Sequence, residues 1–313
     1  MQEKVKTVLV LGGFGFLGTN ILKYIDNHMS GSCRAVVFDR FSSHPHGVAF
    51  DCVDRVYAGD FADSSLIGRI FDENAIDLVI HSLSTTVPAG TFSARFDIES
   101  NLVPTVSLVE TMLGHGVKDM VFISSGGAVY GDGTSTRHSE DEDVFPISSY
   151  GVVKLSIEKY LMQHSRVYGL NPLIIRLSNP YGPYHYSERQ GICNIAIRDA
   201  MEGRTFKVWG DGSARKDFIY VEDFTEILAR LTAGGLNPGV VNVASGNVCS
   251  VDEILGLVKT MAPSFGWEYV EASRYDVSHF ELDTARLESR IGHFDFVGIE
   301  EGLRRTFEWR AGL

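Results

Sequence analysis

Apolar residues in the first half of the chain fall in short unbroken runs, and each run is followed by a stretch with helical spacing. The runs near 5–11, 34–39, 55–58, 77–80 and 119–124 read as strands buried on both faces, and 15–29, 62–73, 98–115 and 150–168 as helices. Strand and helix alternating in this way predict an α/β fold with a doubly wound parallel sheet. Leu173–Leu177 reads as the next strand. After it Pro180, Gly182 and Pro183 punctuate the chain, and shorter elements continue to Leu313. The division expected is a first domain over 1–177 and a smaller α/β C-terminal domain over 178–313. The apolar segment Phe218-Ile-Tyr-Val221 is expected to return to the first sheet, which makes the second domain discontinuous, with about 215–245 rejoining the first.

The first strand runs straight into Gly12-Gly-Phe-Gly15-Phe-Leu-Gly18, and a helical pattern follows. Glycines where a strand turns into a helix N-terminus suit a dinucleotide pyrophosphate. One makes the tight turn, one lets the backbone approach the phosphates, and one brings helix against sheet. Phe16 and Leu17 belong to the same turn. The second strand ends in Asp39, about 20 residues past Gly18, where a carboxylate accepts ribose hydroxyls and repels a ribose phosphate. The fold expected is therefore of the Rossmann type and the cofactor NAD rather than NADP, although Arg40 beside it could tolerate a 2′-phosphate. Farther on, Tyr150 and Lys154 stand four apart on one helical face, just beyond the apolar strand that ends in Ser124-Ser125. A cation so placed is expected to lower the phenol's pKa and make it a proton acceptor near neutral pH.

A formal net charge of −12 and the lack of a basic block argue against nucleic acid as a partner. The N-terminal apolar run is short and broken by glycines, so it suits neither a membrane span nor a secretory signal. The expected location is cytoplasmic. Cys33, Cys52, Cys193 and Cys249 are scattered, without the paired spacing of a zinc or redox site, and no metal is expected.

The glycine turn, Asp39, Gly59-Asp60, Asn101, Val129-Tyr-Gly131, Tyr150/Lys154 and Asn179-Pro-Tyr-Gly182 occur in this order. They are followed by Gly210-Asp-Gly212, Asp217-Phe-Ile-Tyr-Val221, Arg274-Tyr-Asp276 and Leu282-Asp283. Together they resemble the extended short-chain dehydrogenase/reductase superfamily, and within it the nucleotide-sugar epimerase branch typified by UDP-glucose 4-epimerase. The resemblance implies that Asp60 and Phe61 lie against the adenine, and Ser82 and Leu83 near the cofactor's phosphates and ribose. Asn101 would support the active site from the helix it begins. Ser124 would lie beside the nicotinamide, Tyr150 would act as base, and Lys154 would bond the nicotinamide ribose. Asn179, Arg274 and Asp276 would face the nucleotide diphosphate, and Thr86 the sugar. The family also suggests a homodimer formed through the helices near 98–115 and 150–168.

The chain departs from this pattern at two places. Four residues before Tyr130 the family usually has a serine or threonine that bonds the sugar oxygen; here the residue is Gly126. Ser125 is expected to swing in, with Thr85, Thr86 or a water as substitutes. The related 4,6-dehydratases carry an Asp-Glu pair just after that hydroxyl, whereas this chain has Gly127 and Ala128, which removes the general acid that dehydration needs. At the second place Lys216 stands where an arginine is usual, keeping the charge but not the bidentate fork. The activity expected is that of an NAD-dependent epimerase inverting C4 of a nucleotide sugar, with a UDP-linked substrate. The alternatives are a net sugar-nucleotide oxidoreductase and a non-catalytic dinucleotide-binding regulator.

Overall fold

The alternating half of the chain builds one sheet, because each apolar run is flanked on both sides by helices with an apolar face. In the computed structural model, which describes residues 5–86, 93–131, 137–271 and 279–313, the order is β1 (Lys6–Leu11), α1 (Phe16–His28), β2 (Cys33–Asp39), β3 (Val53–Ala58), α2 (Ser64–Glu73) and β4 (Leu78–His81). It continues through α3 (Ala94–Asp97), a π turn (Ile98–Leu102), α4 (Val103–Gly114), β5 (Asp119–Ser125), α5 (Gly126–Val129), β6 (Arg137–His138), α6 (Ser149–Tyr168) and β7 (Asn171–Leu177). The second half holds β8 (Asn179–Tyr181), α7 (Ile192–Met201), β9 (Phe206–Trp209), β10 (Arg215–Tyr220), α8 (Val221–Thr232), β11 (Gly239–Val243), β12 (Val248–Ser250), α9 (Val251–Met261), β13 (Trp267–Val270), β14 (His279–Leu282), α10 (Ala285–Ile291) and α11 (Ile299–Ala311).

Seven parallel strands lie in the order β11-β7-β5-β4-β1-β2-β3, so the direction of winding reverses between β1 and β4. Ligands of open α/β sheets bind outside the carboxyl ends of the strands at such a reversal. One face of the sheet buries Val8, Val10, Val37, Val121 and Ile175 with Leu22 of α1 and Phe224 and Ile227 of α8. The other buries Leu9, Leu11, Phe38, Phe122 and Ile174 with Ile67 and Ile70 of α2, Leu108 of α4 and Ile157 of α6. Consecutive strand residues alternate between these two cores, as the pleat requires.

One expectation is corrected. Phe218–Val221 does not return to the large sheet; β10 pairs instead with β8, β12 and β14 in a smaller mixed sheet. The strand that does return is β11, parallel to β7 with Val241 opposite Ile175. A parallel return needs a crossover helix, and α8 supplies it with Phe224, Ile227, Leu228 and Leu231 at helical spacing on one buried face. The small sheet and α7, α9 and α11 enclose their own core around Tyr181, Ile197, Phe218, Ile254 and Leu303. Among the described residues no helix is long and apolar enough to cross a membrane.

Candidate active site

The glycine turn is held by close approach. Gly12 has φ +75, and a Cβ on Gly18 would stand 2.1 Å from the Gly12 carbonyl oxygen, so only glycine lets α1 begin there. Phe16 opens α1 and stacks on the His185 ring at 4.2 Å, while Leu17 packs into the core. From the neighbouring strand, Ser82 Oγ donates to the Leu11 carbonyl at 2.8 Å, and the Leu83 backbone lies directly over Gly12. The loops after β1 and β4 are thus tied together at the point where the winding reverses.

Asp39 is buried at the end of β2. Its carboxylate accepts the Phe14 amide at 3.0 Å and the Phe41 amide at 3.2 Å. A carboxylate offers about four lone-pair positions, so a fixed group remains able to accept ribose hydroxyls. Arg40 is exposed and lies over the Phe41 ring at 4.7 Å. Asp60 caps its own turn by accepting the Ala62 amide at 2.9 Å. The Phe61 ring is buried against Phe38 and His81, so its side chain belongs to the core.

Tyr150 and Lys154 occupy the first turns of α6, whose start is fixed by the Ser148 side chain accepting the Gly151 amide at 3.1 Å. The buried Lys154 donates to the Ile123 carbonyl at 3.0 Å, lies over the Phe122 ring at 4.8 Å and stands 5.7 Å from the centre of the Tyr150 ring. Burial draws its ammonium down to about 8, opposed by Glu158. Burial also pushes the Tyr150 phenol up to about 12, offset in part by the neighbouring hydroxyls of Ser125 and Ser84. Loss of solvent outweighs a cation whose own bond is spent on a backbone carbonyl.

Gly126 has a steric explanation. A Cβ there would meet Leu282 Cδ1 at 2.7 Å, Leu177 O at 3.2 Å and Phe280 Cζ at 3.2 Å. Packing of β14 against α5 excludes a side chain at this position. Ser124 is buried and donates to Glu158 at 2.5 Å. Glu158 in turn accepts a fork from Arg176, at 3.2 Å from Nε and 2.8 Å from the terminal nitrogen, in an ion pair almost closed to solvent. Arg176 also lies over the Tyr130 ring at 4.8 Å, and Tyr130 donates to Asn242 at 2.8 Å.

Asn101 lies within the π turn rather than at the start of a helix. It accepts the Thr85 amide at 2.9 Å and donates to Thr85 Oγ1 at 2.7 Å, so it fixes the loop after β4. Thr86 is buried on that loop, and its carbonyl accepts Ser84 Oγ at 2.9 Å. Asn179 opens β8 and donates to the Asp217 carbonyl at 2.8 Å; Lys216 lies on β10 between β12 and β14. Arg274 and Asp276 lie outside the described residues. Arg215, next to Lys216, is engaged with Glu253 at 3.1 Å and the Val248 carbonyl at 2.8 Å.

Sequence reasoning missed Ser84, Glu158 and Arg176. Ser84 has no local signal. The other two had one: Glu158 shares the buried face of α6 with Lys154, and Arg176 interrupts an apolar strand, so each charge required a partner inside the protein.

A glycine turn, a fixed acidic residue and a Tyr-Lys pair thus meet at the carboxyl edge of one sheet. The sequence pattern of the NAD dependent epimerase/dehydratase family matches residues 8–244, which is most of the chain. The chain belongs to this family. A UDP-glucose 4-epimerase of Mycolicibacterium smegmatis is 29% identical over 310 residues, covering 96% of this chain and 97% of its own. A dTDP-glucose 4,6-dehydratase of Neisseria meningitidis serogroup B is 26% identical over 336 residues, covering 97% and 93%. The crystal structure of the UDP-glucose 4-epimerase of Thermotoga maritima with UDP-glucose superposes with a TM-score of 0.90 at 28% identity, covering 98% and 99%. As an NAD-dependent epimerase/dehydratase family member the chain is an enzyme, and the cradle from Gly12 to Gly18 with Asp39 fits NAD.

Proposed function

We propose that this protein is a UDP-hexose 4-epimerase. The observation that carries this reading is the pairing of Tyr150 with Lys154, whose ammonium stands 5.7 Å from the centre of the phenol ring, beside a segment that has Gly127 and Ala128 where the family's dehydratases carry an Asp-Glu pair. When bound, NAD takes up a hydride from the sugar carbon and returns it. Tyr150 accepts the proton of the C4 hydroxyl as that carbon is oxidised and gives it back as the carbon is reduced. Lys154 stays charged beside it, held by the Ile123 carbonyl, and offsets the negative charge of the ionised phenol. Ser125 bonds the sugar oxygen. Asn179 and Lys216, with Arg274, grip the nucleotide diphosphate at a distance from the reacting carbon, with Asp276 nearby. The ring can then present either face while the carrier stays anchored.

A homodimer through α4 and α6 accompanies this reading. Val103 is 53% exposed, Val152 49% and Tyr160 48%, an apolar set that a partner's matching helices would cover.

The test is incubation of the purified protein with UDP-glucose, UDP-N-acetylglucosamine and UDP-glucuronate without added cofactor, followed by proton NMR. A C4 epimer is the expected product. A 4-keto-6-deoxy product, or no turnover even with NAD added, overturns the reading.

A further inference from the structure

Residues 183–186 run from the small-sheet half of the molecule across to the two elements that frame the cofactor cradle, α1 and the loop after β2. The Pro183 carbonyl accepts Asn20 Nδ2 at 3.0 Å, and the same nitrogen donates to the Phe16 carbonyl at 2.9 Å. A side-chain amide has two protons, and the buried Asn20 spends one on the first residue of α1 and one on the crossing run. Tyr184 has φ +65, the only positive value outside glycine among the described residues. Its ring packs on Trp309 of α11, centre to centre at 5.2 Å, with the Lys23 ammonium of α1 5.3 Å away. A backbone of this kind persists only where its surroundings hold it. Tyr186 stacks on His46, past Asp39 in the chain, with ring centres 3.5 Å apart.

His185 is the centre of this run. Its buried ring lies flat on Phe16, with ring centres 4.2 Å apart and planes 10° from parallel. Asn194 of α7 fixes another edge of the imidazole. The Gly182 amide donates to Asn194 Oδ1 at 3.2 Å and Asn194 Nδ2 donates to the Gly182 carbonyl at 2.7 Å. The Asn194 atom facing His185 Nδ1 at 3.3 Å is therefore an oxygen, and Nδ1 carries the proton. Burial draws the imidazole down to about 4 against the pull of that bond, so it packs on Phe16 as a neutral ring. Gly191 closes the remaining side, since a Cβ there would stand 2.1 Å from His185 Cε1. A ring enclosed in this way leaves Phe16 only if the whole run 182–191 lifts.

We infer that His185 is a positioning residue that sets how long NAD is retained. Phe16 begins the helix whose N-terminal turn meets the pyrophosphate, and the small-sheet half grips it twice, at its ring by His185 and at its carbonyl by Pro183 acting through Asn20. The grip holds the turn in its binding shape, and a cradle already so shaped gives up its ligand slowly. Release of NAD then requires the 182–191 run to part from α1. Retention is thereby tied to the half of the molecule that carries Asn179 and Lys216.

The test needs no sugar, so it stands apart from the epimerase reading. The full chain is loaded with radiolabelled NAD, excess unlabelled NAD is added, and retained label is followed by rapid gel filtration. His185→Ala should release NAD about three- to tenfold faster, the worth of one packed aromatic pair. Phe16→Leu should do the same, and the double variant should release NAD no faster than either single one, because both remove one contact. His185→Gln keeps a donor toward Asn194, and with it the turn at 182–194, so it carries the test if the alanine variant does not fold; it too should release NAD three- to tenfold faster. Release at the rate of the unaltered protein in His185→Ala overturns the inference. So do rates that multiply in the double variant, which mark two independent packing losses, and slow release from His185→Gln, which assigns retention to the Asn194 bond instead of the stacked ring.

Discussion

Two edges of the molecule face each other across the candidate site, and they are built in different ways. On the large-sheet side Lys154 is bonded to the Ile123 carbonyl, Ser84 to the Thr86 carbonyl and Thr85 to Asn101, over a core that includes the Glu158–Arg176 pair. On the small-sheet side Asn179, Lys216, Phe280 and Leu282 stand on strands of three, six and four residues that meet at a seam between cores. The first edge is over-determined: several elements fix each group, as chemistry on a reacting atom demands. The second is assembled from short pieces and can vary in shape without disturbing the sheet.

The contrast can be tested by weakening each edge in turn. Tyr150→Phe should lower kcat by roughly two to four orders of magnitude with little change in melting temperature, because it removes the proton acceptor and leaves the packing. Parallel measurement of turnover and circular dichroism checks this, and retained turnover would remove Tyr150 from the mechanism. Arg176→Met should do the reverse. It strands Glu158 as a lone buried charge, at a cost of about 3–5 kcal/mol in denaturant unfolding, and Glu158→Gln with Arg176→Met together should recover part of that loss.

Gly126→Ser probes the seam itself. Its side chain must displace Leu282 or Phe280, with an expected destabilisation of about 1–3 kcal/mol that Leu282→Ala partly relieves. A gain in stability would show that β14 yields freely. The smallest effect concerns pH. Lys154 falls to about 8 from 10.5, so between these values the unfolded chain still holds a proton that the native lysine has released. Stability relative to Lys154→Met should thus rise across that window, and melting curves at stepped pH will show no such slope if the lysine is not desolvated.

How much of this was legible in the chain depended on the range of the interactions. The glycine turn, Asp39 and the Tyr150–Lys154 spacing are local patterns tied to the start of a helix or the end of a strand, and the structure places each at the sheet edge. Phe218–Val221 was assigned to the wrong sheet because an apolar run reports burial, not which strands it lies beside; α8 and β11 settle that through contacts far away in the chain. Phe61 likewise has its ring turned into the core, against His81. Ser84 was illegible, since nothing near it indicates that its hydroxyl closes on the Thr86 carbonyl. The vacant side chain at Gly126 was legible as a departure, while its cause, Leu282 and Phe280, came from a strand more than a hundred residues away.

The buried pair of Glu158 and Arg176 also limits how this chain can change over time. Either charge lost alone leaves its partner uncompensated, at a cost comparable to a large share of a protein's whole stability. A path between this sequence and one with two neutral residues there must cross that barrier or change both positions at once. For drift the two positions act as a single site, and the helix carrying Tyr150 is yoked to the strand beside it.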